Sequence, residues 1–190
     1  LSRVGDCVSL PADVSTTQGR AALVKTLSDN ERALHILVNN AGANWGAPYD
    51  EFPEKGFHKV VDLNLIAVFF LTRDLTPLLE RAGTADDPAR VINIGSMDGV
   101  HVPTTIPTGV FAYSSSKAGV HHLSRHLAVE LGPRHITVNA VAPGYFESKM
   151  TEEVLKQYGD QIRGACPMDR IGRPEEMAGV AIYLASRAGA

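Results

Sequence analysis

Residues 35–42 read HILVNNAG, and this stretch decides the fold. A short aliphatic run that stops at Asn, Ala and Gly reads as a buried strand handing the chain to a loop. The format recurs at residues 90–96 (RVINIGS) and 136–144 (ITVNAVAPG), and an earlier run, residues 7–10 (CVSL), ends at Pro11. Between the runs lie segments with helical periodicity, residues 17–28, 53–81 and 111–131, and two more follow at 152–163 and 174–186. Continuous apolar strands are buried on both faces, and parallel neighbours need crossovers, which the helices supply. The expected fold class is α/β: a doubly wound parallel sheet in three layers, α/β/α, with residues 1–190 forming one domain.

Composition narrows the function. Of 190 residues 44% are apolar and 21% charged, with a formal charge of -3, ordinary for a globular chain with a sizeable core. With 18 Lys and Arg and no basic cluster, nucleic acid is not an expected partner. The longest apolar run, residues 65–71, is far shorter than the ~20 residues that cross a bilayer, so no membrane partner and a cytoplasmic location are expected. Cys7 and Cys166 lack CxxC spacing and read as free thiols. His121, His122 and His126 share a helix without a carboxylate or Cys to complete a ligand set, so no metal is expected.

In an open parallel sheet, ligands bind beyond the carboxyl ends of the strands. Asn39-Asn40-Ala41-Gly42, Gly95-Ser96 and Pro143-Gly144 fall there, and the helix start Tyr113-Ser114-Ser115-Ser116-Lys117 opens toward the same edge. Tyr113 and Lys117, four residues apart, share a helix face. An ammonium beside a phenol lowers its pKa, and a tyrosine working near neutrality needs a fall of about 3 units from ~10. That spacing alone is common on solvated helix surfaces; its coincidence with the other three segments at one edge makes it a site. Asn64 lies in a strongly apolar helix, where its amide needs either a structural hydrogen bond or a role at that site.

Asn39-Asn40-Ala41-Gly42, the Asn64 of Asp62-Leu63-Asn64-Leu65, the Ser96 of Ile94-Gly95-Ser96, Tyr113 with Lys117, and Pro143-Gly144 together resemble the non-extended branch of the short-chain dehydrogenase/reductase family, whose fold is Rossmann-like. Arg170-Ile171-Gly172-Arg173-Pro174-Glu175-Glu176 resembles that family's segment leading into its last helix. The resemblance implies hydride transfer between the nicotinamide of NADP (or NAD) and a carbonyl or secondary alcohol. It implies Tyr113 as acid in reduction and base in oxidation, Lys117 as the cation that lowers its pKa and bonds the nicotinamide ribose, and Ser96 as a second holder of the reacting oxygen. Ser96 and Tyr113 are thereby the substrate contacts, and Asn64 organises a water between Lys117 and solvent.

Further cofactor contacts are implied at Asp13 and Val14 for adenine, at Asn40, Ala41 and Gly42 for the adenosine ribose, and at Pro143, Gly144, Phe146 and Ser148 for nicotinamide. Asp13 reads equally as a helix cap or turn residue, and the two roles are compatible. The helices from Phe111 and Pro53 commonly make this family's dimer and tetramer contacts, which implies a homodimer or homotetramer and places the three histidines near an interface.

Two features depart from the family. Its TGxxxGxG loop, which cradles pyrophosphate at a helix N-terminus, has no counterpart: none of the 17 glycines has that spacing, and Gly42 and Gly46 are followed by Pro48 where the third should stand. The sequence corresponds to the family from just before its third strand to before its last, as expected of the retained portion of a longer enzyme, and the residue selecting NAD or NADP falls outside it. The interval from Ser96 to Tyr113 is long for the family, so residues 101–109, with Pro103 and Pro107, are expected to shape a distinctive substrate entrance. NNAGANWG at 39–46 and RVINIGS at 90–96 resemble the 3-oxoacyl carrier-protein reductases, above all the rhamnolipid-pathway type, which implies a 3-oxoacyl thioester of carrier protein or CoA as substrate. A dehydrogenase of a sugar, polyol, steroid or other secondary alcohol is the alternative among enzymes, and a non-catalytic binding or scaffolding subunit is the alternative of another class.

Overall fold

A computed structural model describes residues 5–102 and 109–190. Its sheet has three parallel strands in sequence order, β1 (Ile36–Asn39), β2 (Ala89–Ile94) and β3 (Ile136–Val141). The helices are α1 (Thr17–Asn30), α2 (Glu54–Val61), α3 (Ala67–Ala82), α4 (Phe111–Leu131), α5 (Glu152–Gly164) and α6 (Pro174–Ala185). Asn39 pairs with Asn93, and Ile94 with Val141, so all three strands finish at one edge.

The central strand β2 is buried at five of its six residues, as a strand covered on both faces must be. On one face Ala89 and Val91, with Ile136 and Val138 of β3, pack against Leu79 of α3 and Leu131 of α4. On the other, the buried Arg90 reaches past α6, donating to Ser186 O at 3.3 Å and to Asp87 at 2.8 Å. The Arg20 guanidinium of α1 stands 5.3 Å from the centre of the Phe70 ring, which seats α1 on α3.

Local chemistry sets the helix ends. Thr16 caps α1 by accepting from Gly19 N at 3.0 Å, and α6 opens with Pro174 while Glu176 accepts from Arg173 N at 2.8 Å. Arg170 grips the same carboxylate with bonds of 2.9 and 2.6 Å and holds Glu176 down at about 2. The stretch RIGRPEE is therefore a brace for the last helix.

Two expectations are corrected. The strand expected at residues 7–10 does not form: Val8 is 81% and Leu10 38% exposed. A strand exists through its ladder, and among the described residues no segment runs beside this one. The helix expected over residues 53–81 is interrupted between α2 and α3 by a wide π-type turn, Asp62–Ile66, in which Ala67 N donates to Asp62 O. Such a turn inserts one residue into the helical register at Asn64, a widening that apolar periodicity does not reveal. Pro103 and Pro107, at the expected substrate entrance, lie outside the described residues.

A run of buried amides and hydroxyls crosses the core. Asn39 Nδ2 donates to Asn93 Oδ1 at 2.8 Å and to Thr72 Oγ1 at 3.2 Å, and Asn93 Nδ2 donates to Ser124 Oγ at 2.9 Å. Thr72 and Ser124 donate in turn to Val68 O and Val120 O, each at 2.8 Å. The run links α3, β1, β2 and α4, and satisfied polar groups of this kind fix register because any slip leaves one unpaired. Asn93→Ala abandons both the Asn39 amide and the Ser124 hydroxyl and is expected to cost about 2–4 kcal/mol. Urea unfolding measures this, and an unchanged midpoint would show that the run does not hold the sheet to its helices.

Candidate active site

Beyond the strand ends the chain keeps its pairing. Gly95 N donates to Val141 O at 2.8 Å and Met97 N to Pro143 O at 2.9 Å, so the segments after β2 and β3 leave the sheet together. Ser96 emerges between them, buried, and caps the short turn Met97–Gly99 by accepting from Asp98 N at 3.2 Å. Behind it, a Cβ on Gly95 would lie 2.2 Å from the His121 ring, so only glycine fits. His121 Nε2 sits 2.9 Å from Ser96 O and braces that backbone from α4.

The first turns of α4 supply the other two groups. Lys117 is 5% exposed, and its Nζ donates to Ile94 O at 2.6 Å while standing 5.6 Å from the centre of the Tyr113 ring. Burial pushes its ammonium down from 10.5 to about 8. Tyr113 moves in the direction opposite to that expected from its pairing with Lys117. Burial pushes its hydroxyl up, hydrogen bonding from Ser96 pulls it partly back, and the charge of Asp98 pushes it further up. The ammonium is directed at a backbone carbonyl, and desolvation governs the phenol.

Asn64, carried by the π turn, is fully buried and engaged. Its Oδ1 accepts from Ala43 N at 2.8 Å, and its Nδ2 donates to Ala43 O at 3.0 Å and to Ser116 Oγ at 3.1 Å. Ser116 Oγ donates to Tyr113 O at 2.8 Å. The amide thus ties the loop after Asn39-Asn40-Ala41-Gly42 to the helical turn that carries Tyr113. A Cβ built on Gly42 would lie 3.4 Å from Asn64 Oδ1 and 3.8 Å from Lys117 Nζ, so loop, amide and ammonium converge. Sequence reasoning misses Ser116, Ala43, His121 and the Ile94 carbonyl. A backbone atom, or one serine among three consecutive ones, has no signature; the small residue Gly95 against a helix histidine was the available clue.

A cleft of about 330 Å³ opens over Ser96 and Tyr113, flanked by Pro143 and Gly144 and walled by Met97, Asp98, Tyr145, Met150, Thr151 and Tyr158 among others. Phe146 and Ser148 do not line it. The Phe146 ring packs on Gly172, where a Cβ would come within 2.3 Å of it, and the exposed Ser148 shares a 2.9 Å hydrogen bond with Thr151 Oγ1. Asn40 and Ala41 are exposed on their loop. Asp13 accepts from Ser15 N at 3.0 Å and Ser15 Oγ at 2.6 Å, which lowers its pKa, and Val14 O accepts from Arg20 at 2.9 Å. Both residues shape the turn into α1, the structural role weighed for Asp13.

The whole chain, residues 1–190, matches a family model described as enoyl-(acyl carrier protein) reductase. A rhamnolipids biosynthesis 3-oxoacyl-[acyl-carrier-protein] reductase of Pseudomonas aeruginosa is 46% identical over 192 residues, covering 100% of this chain and 74% of the relative. The 5-keto-D-gluconate 5-reductase of Escherichia coli strain K12 is 33% identical, over 95% of this chain and 69% of its own. Among solved structures, the Pseudomonas aeruginosa RhlG/NADP active-site complex superimposes with a TM-score of 0.93 at 46% identity, covering 100% of this chain and 73% of that one. With serine, tyrosine and lysine gathered beyond parallel strand ends, and likeness to these oxidoreductases along its full length, the chain belongs to the short-chain dehydrogenase/reductase family.

Proposed function

We propose that the chain is an NADP-dependent reductase of 3-oxoacyl thioesters, with Tyr113, Ser96, Lys117 and Asn64 as its working residues. The cleft carries this reading. Two hydroxyls, Ser96 and Tyr113, stand over apolar surface from Met97, Val110, Met150 and Val154, and no Lys, Arg or His is among the described lining residues. Paired donors suit a ketone oxygen, and the apolar wall suits an acyl chain. A sugar acid would bring a carboxylate to a wall with no cation to receive it. The Pseudomonas aeruginosa reductase, 46% identical, is named for a 3-oxoacyl carrier-protein substrate.

The residues fit the nicotinamide end of a dinucleotide. Lys117 has three N–H donors; one goes to Ile94 O, and no described acceptor takes the others, which suits the two hydroxyls of a ribose. NADP is favoured because the solved relative is an NADP complex. Asn40, Ala41, Gly42, Pro143 and Gly144 are assigned to the same cofactor, with Asp13 and Val14 toward its adenine.

When bound, the reduced cofactor supplies hydride to the carbonyl carbon. Ser96 and Tyr113 hold the ketone oxygen, and Tyr113 donates its proton there as negative charge develops. Lys117 keeps positive charge beside the phenolate that remains, and Asn64 holds loop and helix in register throughout. Exposed apolar side chains at Phe57 on α2, Phe69 on α3, and Phe111 and Val129 on α4 support a homodimer or homotetramer. No described helix is long and apolar enough to cross a membrane, and a cytoplasmic location is part of the proposal.

Tyr113→Phe is expected to lower turnover by ~10²–10⁴-fold with NADPH binding nearly unchanged. A panel of 3-oxoacyl thioesters, sugars, polyols and steroid alcohols with both cofactors tests the substrate; absence of thioester turnover removes it, and an unaffected Tyr113→Phe removes the mechanism.

Lys117 yields a stability prediction. Its folded-state pKa of about 8 lies below the ordinary 10.5, so between these values the unfolded chain binds more protons and stability rises with pH. Keeping the ammonium charged at neutral pH therefore destabilises the fold. Lys117→Met is expected to match or exceed wild-type stability at neutral pH, by up to about 3 kcal/mol, while losing turnover. Its advantage should shrink as pH climbs through that window; a variant less stable than wild type at every pH contradicts the account.

A further inference from the structure

We propose that Asp98 is a specificity-determining residue whose carboxylate, with Oδ1 lacking a partner among the described residues, stands in the wall of the cleft and turns away substrates that carry an anion beside the reacting ketone. The inference deepens the thioester reading and rests on it for the class of substrate admitted. Asp98 Oδ1 is shielded from solvent and has no hydrogen-bond partner among the described residues. The residue is fixed in place at both ends of its backbone, donating from N to Ser96 Oγ at 3.2 Å and accepting at O from Ser114 Oγ at 2.7 Å. It lines the same cleft as Ser96 and Tyr113, two residues along the chain from that serine.

Burial raises its pKa above the ordinary carboxylate value, with neighbouring His101 opposing that shift, and its charge reaches across the cleft, where it pushes both Tyr113 and Tyr145 upward. Among the described lining residues no Lys, Arg or His faces the anion. A neutral 3-oxoacyl thioester meets this carboxylate with dipoles alone. A keto acid brings a second negative charge into a partly desolvated space, where like charges repel strongly.

Ethyl acetoacetate and acetoacetate present the same ketone and differ in charge. Each is assayed with NADPH for reduction, and titrated by calorimetry against the enzyme–NADP+ complex, which has no hydride to give, so the comparison of binding does not depend on turnover. Wild type is expected to favour the ester by at least ~10-fold. Asp98→Asn should bring the two within ~3-fold by improving the acid, and Asp98→Glu should keep the discrimination. Asp98→Ala, which removes the carboxylate by truncation, should behave as Asp98→Asn does. Equal use of both ligands by wild type, or an unchanged ratio in both neutral variants, overturns the proposal. A 3-oxoacyl thioester is run in parallel: if it is not reduced while the ester-to-acid ratio still responds to Asp98, the thioester reading fails and the role of Asp98 stands.

Discussion

The bond from the buried Lys117 ammonium to the last carbonyl of the central strand is the constraint on which the rest of the site depends. An ammonium taken out of water must keep a hydrogen-bond acceptor, so α4 has one rotation and one height at which it can sit against the sheet. Tyr113 is one helical turn before Lys117 on the same face, and Ser96 is two residues beyond Ile94, the strand residue that accepts the bond. Fixing Lys117 on Ile94 therefore fixes the phenol over the serine. A residue usually described by its charge also acts as the gauge that sets the spacing of the other two.

The same logic explains why so much polar chemistry is buried around it. The Asn39, Asn93, Thr72 and Ser124 run holds α3 and α4 to the two strands at depth, and Asn64 repeats the device nearer the edge. For Asn64 to face both Ala43 and Ser116, the helix has to widen, and the π turn Asp62–Ile66 supplies the extra residue. Each hydrogen-bonded amide replaces an apolar contact with a directional one, which positions a site more closely than packing alone.

Much of this was legible in the sequence. Ile36–Asn39, Ala89–Ile94 and Ile136–Val141 announce themselves as aliphatic runs closed by Asn or Gly, and the order of motifs at their ends marks the reactive edge. What stayed hidden depends on partners rather than on local pattern. Residues 7–10 have the composition of a strand and lack a neighbour among the described residues. The π turn changes a hydrogen-bond offset without changing apolar spacing. The packing of Phe146 on Gly172 and the hydrogen bond between Ser148 and Thr151 likewise join partners that local pattern does not announce. Asp98 follows a strand, where an aspartate is ordinarily a turn residue, and only in three dimensions does its Oδ1 stand without a partner among the described residues.

The direction in which Tyr113 is shifted bears on which half of the reaction the folded site favours. Burial and the charge of Asp98 both oppose loss of the phenolic proton, and hydrogen bonding from Ser96 offsets them only in part. A phenol held protonated is ready to act as an acid toward a developing alkoxide, the role needed for reduction. Oxidation needs the phenolate, whose formation must overcome the same desolvation with the help of a single ammonium that already donates to Ile94. The carboxylate that excludes anionic substrates therefore adds to burial, the larger effect, in keeping the tyrosine a proton donor, so one charge contributes to both substrate choice and proton transfer.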